Sequence, residues 1–166
     1  MRWLTIVVLI GCGSAAPPVE TPPPATQADA PAPLFASHGP ITLRSSDTTR
    51  PPFVAELMAD GTVTGTRCGA TRLTDDGSLE RDGTVVARVI EHGDALTVLA
   101  GDHDTAWRIE ADVLTAGGVT RFTRSTSTIT SSDPQLPSIA IDPPTAPSRL
   151  ALGFFASLLV CDDAAP

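Results

Sequence analysis

Three equally spaced glycines constrain this chain more than any other feature: Gly61, Gly77 and Gly93, preceded by Asp60, Asp76 and His92. The residues around them form a weak repeat, in which Leu57–Val63 matches Leu73–Leu79 and Val89–Ala95 supplies a third copy. A period of sixteen residues is room for about two short strands and two turns, so each copy reads as one hairpin. Asp-Gly suits such a place because a type I′ turn requires positive φ at both central residues. A calcium-binding repeat also reuses Asp and Gly, but the spacing fits neither an EF-hand nor a nonapeptide β-roll.

The segments between the turns alternate. In Ala106–Leu114, Trp107, Ile109, Ala111 and Val113 fall on one side, and Arg108, Glu110 and Asp112 on the other. A period of two sends these sets to opposite faces of a sheet, one dry and one wet. Phe53–Ala59, Thr84–Ile90, Ala95–Ala100 and Val119–Arg124 are further candidate strands. Aromatics make up 4% of the chain and Tyr is absent, so the core must rely on Val, Leu, Ile and Ala. Ser125–Ser132 reads as a flexible polar loop, followed by the Pro-rich stretch Ile139–Pro147.

Leu150–Cys161 is apolar apart from Gly153 and Ser157. It is too short to cross a bilayer, which takes about 20 helical residues, and long enough for three helical turns. Ser148 is the expected N-cap, with Pro147 just ahead of it. A helix apolar nearly all round must be buried, here against the sheet. Asp162 and Asp163 oppose the helix dipole, and a fully buried final strand is the alternative. The fold expected is mainly β, or α+β: a small antiparallel meander of hairpins over 41–166, with one C-terminal helix packed on the sheet.

The amino-terminal region has another character. Met1-Arg2 carries one positive charge, Trp3–Ile10 is apolar except for Thr5, and Leu9-Ile10-Gly11-Cys12 follows directly. A short charged n-region before an apolar h-region is the pattern of an export signal. The tetrapeptide resembles the lipobox of bacterial lipoproteins. That resemblance implies that residues 1–11 are a signal peptide, cleaved between Gly11 and Cys12, and that Cys12 is acylated with diacylglycerol. It places the protein in the cell envelope, with the membrane as a partner through the lipid. Gly13, where an inner-membrane retention signal would have Asp, resembles routing to the outer membrane.

Residues 12–40 then read as the acylated cysteine and a linker, with Pro17-Pro18, Pro22-Pro23-Pro24, Pro31 and Pro33. Proline fixes φ and removes a donor, so the stretch favours extended polyproline II, a spacer between membrane and domain. Once Cys12 is acylated, Cys68 and Cys161 are an even pair in an oxidising compartment, which invites a disulfide across 93 residues.

The search for chemistry returns little. His92, Asp102, His103 and Asp104 all lie in expected turns and would offer nitrogen and carboxylate ligands to zinc if adjacent loops converged. No H-E-x-x-H or G-x-S-x-G motif occurs, and Asp75-Asp76 and Asp162-Asp163 read as solvated pairs. The net charge is −8 and every basic residue is Arg, without a basic cluster, which argues against nucleic acid. The expectation is a non-enzymatic envelope protein, binding or structural, with a protein partner in the envelope and no cofactor. The alternatives are a metal-dependent hydrolase using the His92 and Asp102–Asp104 loops, and an inhibitor resembling the small β-domain lipoproteins that block lysozymes.

Overall fold

The computed structural model describes residues 34–36, 38–46, 53–66 and 68–163. Twelve antiparallel strands follow one another around a closed barrel, each beside its sequence neighbours, with the last paired to the first. They are β1 (Ile41–Ser45), β2 (Val54–Leu57), β3 (Thr62–Thr64), β4 (Thr71–Leu73), β5 (Ser78–Arg81), β6 (Thr84–His92), β7 (Ala95–Ala100), β8 (His103–Glu110), β9 (Val113–Ala116), β10 (Val119–Arg124), β11 (Thr128–Ser131) and β12 (Ile139–Asp142). One helix, α1 (Ser148–Asp163), ends the described chain. The fold is thus mainly β with a C-terminal helix, and the meander closes on itself.

Closure follows from register. Ile141, Leu43 and Ala55 stand side by side across β12, β1 and β2, and Ile41, Leu57, Val63 and Thr71 continue across β1 to β4. Leu73, Leu79 and Ala87 carry the row to β6, and Val89 faces Val98 on β7. Leu96, Ile109, Leu114 and Phe122 bring it to β10, and Arg124, Ile129 and Ile139 return it to β12. Apart from half-buried Phe122, all these side chains are buried. Of the outward positions of β8, Asp104, Arg108 and Glu110 are charged and only the small Ala106 is apolar, so the wall is dry inside and largely wet outside.

The interior is filled by α1. Every residue from Leu150 to Leu158 is buried, and nine residues make about two and a half turns, so no face of the helix reaches water. A helix lying on the outside of a sheet would expose about half its circumference; this one is enclosed by the barrel. Its start differs from the sequence expectation. The Pro147 carbonyl accepts the first helical bond, from Ala151 N at 3.0 Å, so Pro147 holds the cap position. Ser148 lies one residue inside, and its hydroxyl bonds the Asp112 carboxylate on the β8–β9 turn. Phe35, ahead of the first strand, is also core: it is 3% exposed, and its ring tip would lie only 3.1 Å from a Cβ on Gly153.

The repeat is real at the level of hydrogen bonds, but its turns are not type I′. Met58 N donates to Thr62 O and Gly61 N to Met58 O; Thr74 N donates to Ser78 O and Gly77 N to Thr74 O, all at 2.8–2.9 Å. Each is a three-residue loop whose glycine takes left-handed φ, 84° at Gly61 and 83° at Gly77, while the Asp before it does not. Both glycine carbonyls then accept from the next strand, from Leu73 N and Val89 N, and a Cβ on either glycine would collide with those same residues' carbonyls. The third copy lacks this device. Gly93-Asp94 is a two-residue turn closed by His92 opposite Ala95, with positive φ at Gly93 alone. The Asp-Gly turn with both residues at positive φ is instead Asp82-Gly83, between β5 and β6.

Two sequence expectations fail for related reasons. Ala106–Leu114 is not one strand, because Ala111-Asp112 turn the chain and pair Glu110 with Val113, which brings Leu114 inward. Ser125–Ser132 is not a free loop: Thr128–Ser131 is β11, held by Ile129 in the core.

Two predictions follow from this packing. Phe154 is fully buried in α1, and Phe154→Ala is expected to cost about 3–5 kcal/mol in urea unfolding; a loss below about 1 kcal/mol would mean the helix is not enclosed. The second concerns acid. Thr62 N–H holds the Asp60 carboxyl below the ordinary 3.8, and the Thr74 hydroxyl, with Ser78, does the same for Asp76. A lowered folded pKa gives stability that is present above the unfolded value and lost as pH falls through the folded one. Wild type should therefore lose more stability than Asp76→Ala on acidification from about pH 5 to 2, read as urea midpoints. Parallel losses would refute a role for the carboxylate.

Candidate functional site

Consecutive turns of a meander lie at opposite ends of the barrel, and contacts with α1 label the ends. Ser148 meets Asp112, and Arg149 meets Glu91 at 3.4 Å, so the β6–β7 and β8–β9 turns lie at the end where the helix begins. The β3–β4 loop lies at the end where it finishes, since Cys68 and Cys161 sit there at disulfide distance, their Cα atoms 5.8 Å apart.

This arrangement separates the metal ligands expected from the sequence. His92 is beside the β6–β7 turn, whereas Asp102, His103 and Asp104 are at the other end, a six-residue strand away, or about 17–20 Å. The loops that were to converge face away from each other. Asp104 is instead paired with Arg108 at 3.0 and 3.1 Å, and Asp102 lies 3.9 Å from Arg88. Among the described residues no three His, Cys, Asp or Glu side chains gather to hold a metal ion. The repeat carboxylates are committed as well: Asp60 accepts from Thr62 N at 2.9 Å and Asp76 from Ser78 N at 3.1 Å. Gly11 and Cys12 lie outside the described residues.

The two ends differ in how they are closed. Where the helix begins, Arg124 points inward and is 8% exposed. Its Nη2 donates to the carbonyls of Thr126, Pro144 and Ala146, which ties the β10–β11 turn to the approach to α1. Burial lowers its pKa, with Asp112 acting against that shift, so the guanidinium keeps its charge by collecting acceptors. Among the described residues nothing comparable plugs the other end.

There the wall and the helix diverge and leave a groove of about 520 Å³, within the range of about 300–1,000 Å³ usual for small-molecule sites. Trp107, Ala116 and Phe122 line the wall side, and Leu159 and Asp162 come from the last turns of α1. Leu136, 45% exposed, overhangs from the β11–β12 loop. The aromatic floor is fixed from beneath: Phe122 stacks edge-on against Phe155 with centroids 5.0 Å apart, and Trp107 lies 6.3 Å from Phe122.

Arg121 reaches the rim through an irregularity of the sheet. Thr120 pairs with Thr115 and Phe122 with Leu114, so Arg121 is the extra residue of a β-bulge. A bulge leaves its extra residue out of the ladder and re-aims its side chain. The loop after β11 fastens the bulge, with Ser132 N donating to Arg121 O at 2.8 Å. Sequence reasoning placed Trp107 on a dry face but had no signal for the groove, because a bulge leaves no mark in the residue pattern. No protein-family model, curated protein or solved structure matches the chain.

Alkylation distinguishes a bridged from a free cysteine pair. Iodoacetamide added to the unreduced protein in denaturant should label neither Cys68 nor Cys161, and both after reduction. Closing a loop of 93 residues stabilises by about 4–5 kcal/mol on the chain-entropy estimate, so reduction should lower the urea midpoint substantially. Labelling of both without reductant would refute the bridge.

Proposed function

We propose that the chain is a lipid-anchored protein of the cell envelope that binds a partner at the open end of its barrel and performs no chemistry of its own. Its address rests on one observation, the lipobox-like Leu9-Ile10-Gly11-Cys12 directly behind an apolar run with one positive charge before it. The Pro-rich stretch up to Pro33 suits a spacer, ending where Leu34 and Phe35 join the core, and the largely polar outer face of β8 suits a domain held in water. The Cys68–Cys161 pair suits an oxidising compartment. Diacylglycerol supplies two chains, which is what stable attachment requires. Gly13 after the cysteine favours the outer membrane. The binding half is supported by the groove, a concave face with an apolar floor of Trp107, Phe122 and Leu159 and a polar rim.

In the source cells, wild type should sediment with membranes, enter the detergent phase on extraction, and incorporate a palmitate analogue. Cys12→Ala should do none of these and remain soluble. A wild type that behaves like Cys12→Ala would overturn the anchor.

A further inference from the structure

We infer that the groove at the open end of the barrel is a site for a small amphipathic carboxylate, its apolar body on Trp107, Phe122 and Leu159 and its head on Arg121. The inference deepens the binding half of the proposed function by naming a ligand class for that face. Three observations carry it. The floor is apolar and fixed, since Phe122 is braced by Phe155 and Leu159 belongs to the enclosed helix. The rim carries charges of both signs: the Asp133 carboxylate is turned to its own loop, accepting from Gln135 N at 2.9 Å, and Asp162 has a partner of its own. Arg121 is the one lining cation, and no ion pair engages it among the described residues. The third observation is the bulge. In a regular ladder, residue 121 would face outward, opposite to Phe122; as the extra residue it lines the groove beside Phe122.

An apolar floor with a single unpaired guanidinium at its edge is complementary to a molecule with one anionic end. The planar guanidinium offers two parallel donors to a carboxylate, which fixes the orientation of the head while the floor takes the body. A cation would meet Arg121 unfavourably, and a neutral amphiphile would leave it unpaired.

The test uses the full chain carrying Cys12→Ala, so that no attached lipid competes for the groove, titrated with laurate below its micellar concentration. Isothermal calorimetry should report one saturable site, and tryptophan fluorescence should change in step. Trp107→Phe should abolish the fluorescence change while leaving the heat, which separates Trp107 from Trp3. Arg121→Gln should weaken binding about tenfold or more, the scale of a lost charge-assisted contact, and Arg121→Lys should restore most of it. Leu136→Asp should also weaken it. Dodecyltrimethylammonium and dodecyl maltoside should not displace laurate. Equal binding by Arg121→Gln, or equal affinity for the neutral or cationic amphiphile, would overturn the anion class while leaving the groove as a binding face. No saturable heat with any of the three would overturn the site. Either failure leaves the lipid anchor to its own fractionation test.

Discussion

A helix that is apolar around its whole circumference cannot rest on a sheet without leaving about half its side chains in water, at roughly 1.5–3 kcal/mol for each large one. Leu150, Leu152, Phe154, Phe155 and Leu158 cover a little over half the circumference of α1, Gly153, Ala156, Ser157 and Val160 cover the rest, and all are buried. Only a wall that surrounds the helix satisfies them. The barrel depends on the helix in the same degree, because the inward residues of its short strands are mostly Leu, Ile, Val and Ala, which need a filling partner. Neither part has a core without the other. This reciprocity explains why strands of three and four residues, such as β3 and β4, suffice: each adds one or two inward side chains to a ring that the helix completes.

The helix also sets what each end can do. Its N-terminal approach is tied down by Arg124, a charge inside the wall that is tolerable because three carbonyls receive it. At the far end the last turns taper into Leu159 and Asp162 as the wall continues past them, and the groove is the space between. The two ends therefore differ by construction, closed where a buried charge gathers acceptors and open where the plug runs out.

How much of this was legible in the sequence varies element by element. Ala95–Ala100 and Val119–Arg124 matched their strands in full, because several alternating residues make a period visible. The terminal apolar run gave a helix because its length and all-round hydrophobicity demanded burial, and burial outweighed the two acids opposing the dipole at its end. No candidate run covered strands β1, β3, β4, β5, β11 and β12, since three to five residues with one or two inward positions carry no period; in β11 only Ile129 marks the core. Closure was invisible too, being a property of register summed around the ring. The metal cluster failed on an argument the sequence did contain. The turns before and after β7 belong to one meander, so they had to lie at opposite ends, and His92 could not meet His103.

The disulfide-distance pair and the groove occupy the same end of the molecule, and this has a mechanical consequence. Cys161 sits between Val160 and Asp162, one turn or less from the two helix residues that line the groove. Helix termini fray first, because their last carbonyls have no helical partner. Here two acids further weaken the last turn, so without a tie the groove's helix side would be its softest part. A bond from Cys161 to Cys68 on the β3–β4 loop would hold that turn against the wall, while Phe155 braces the aromatic side from within. A site whose two walls are fixed before anything arrives spends less of its interaction energy on ordering them. A covalent tie between these two cysteines would thus keep this end of the barrel in one shape.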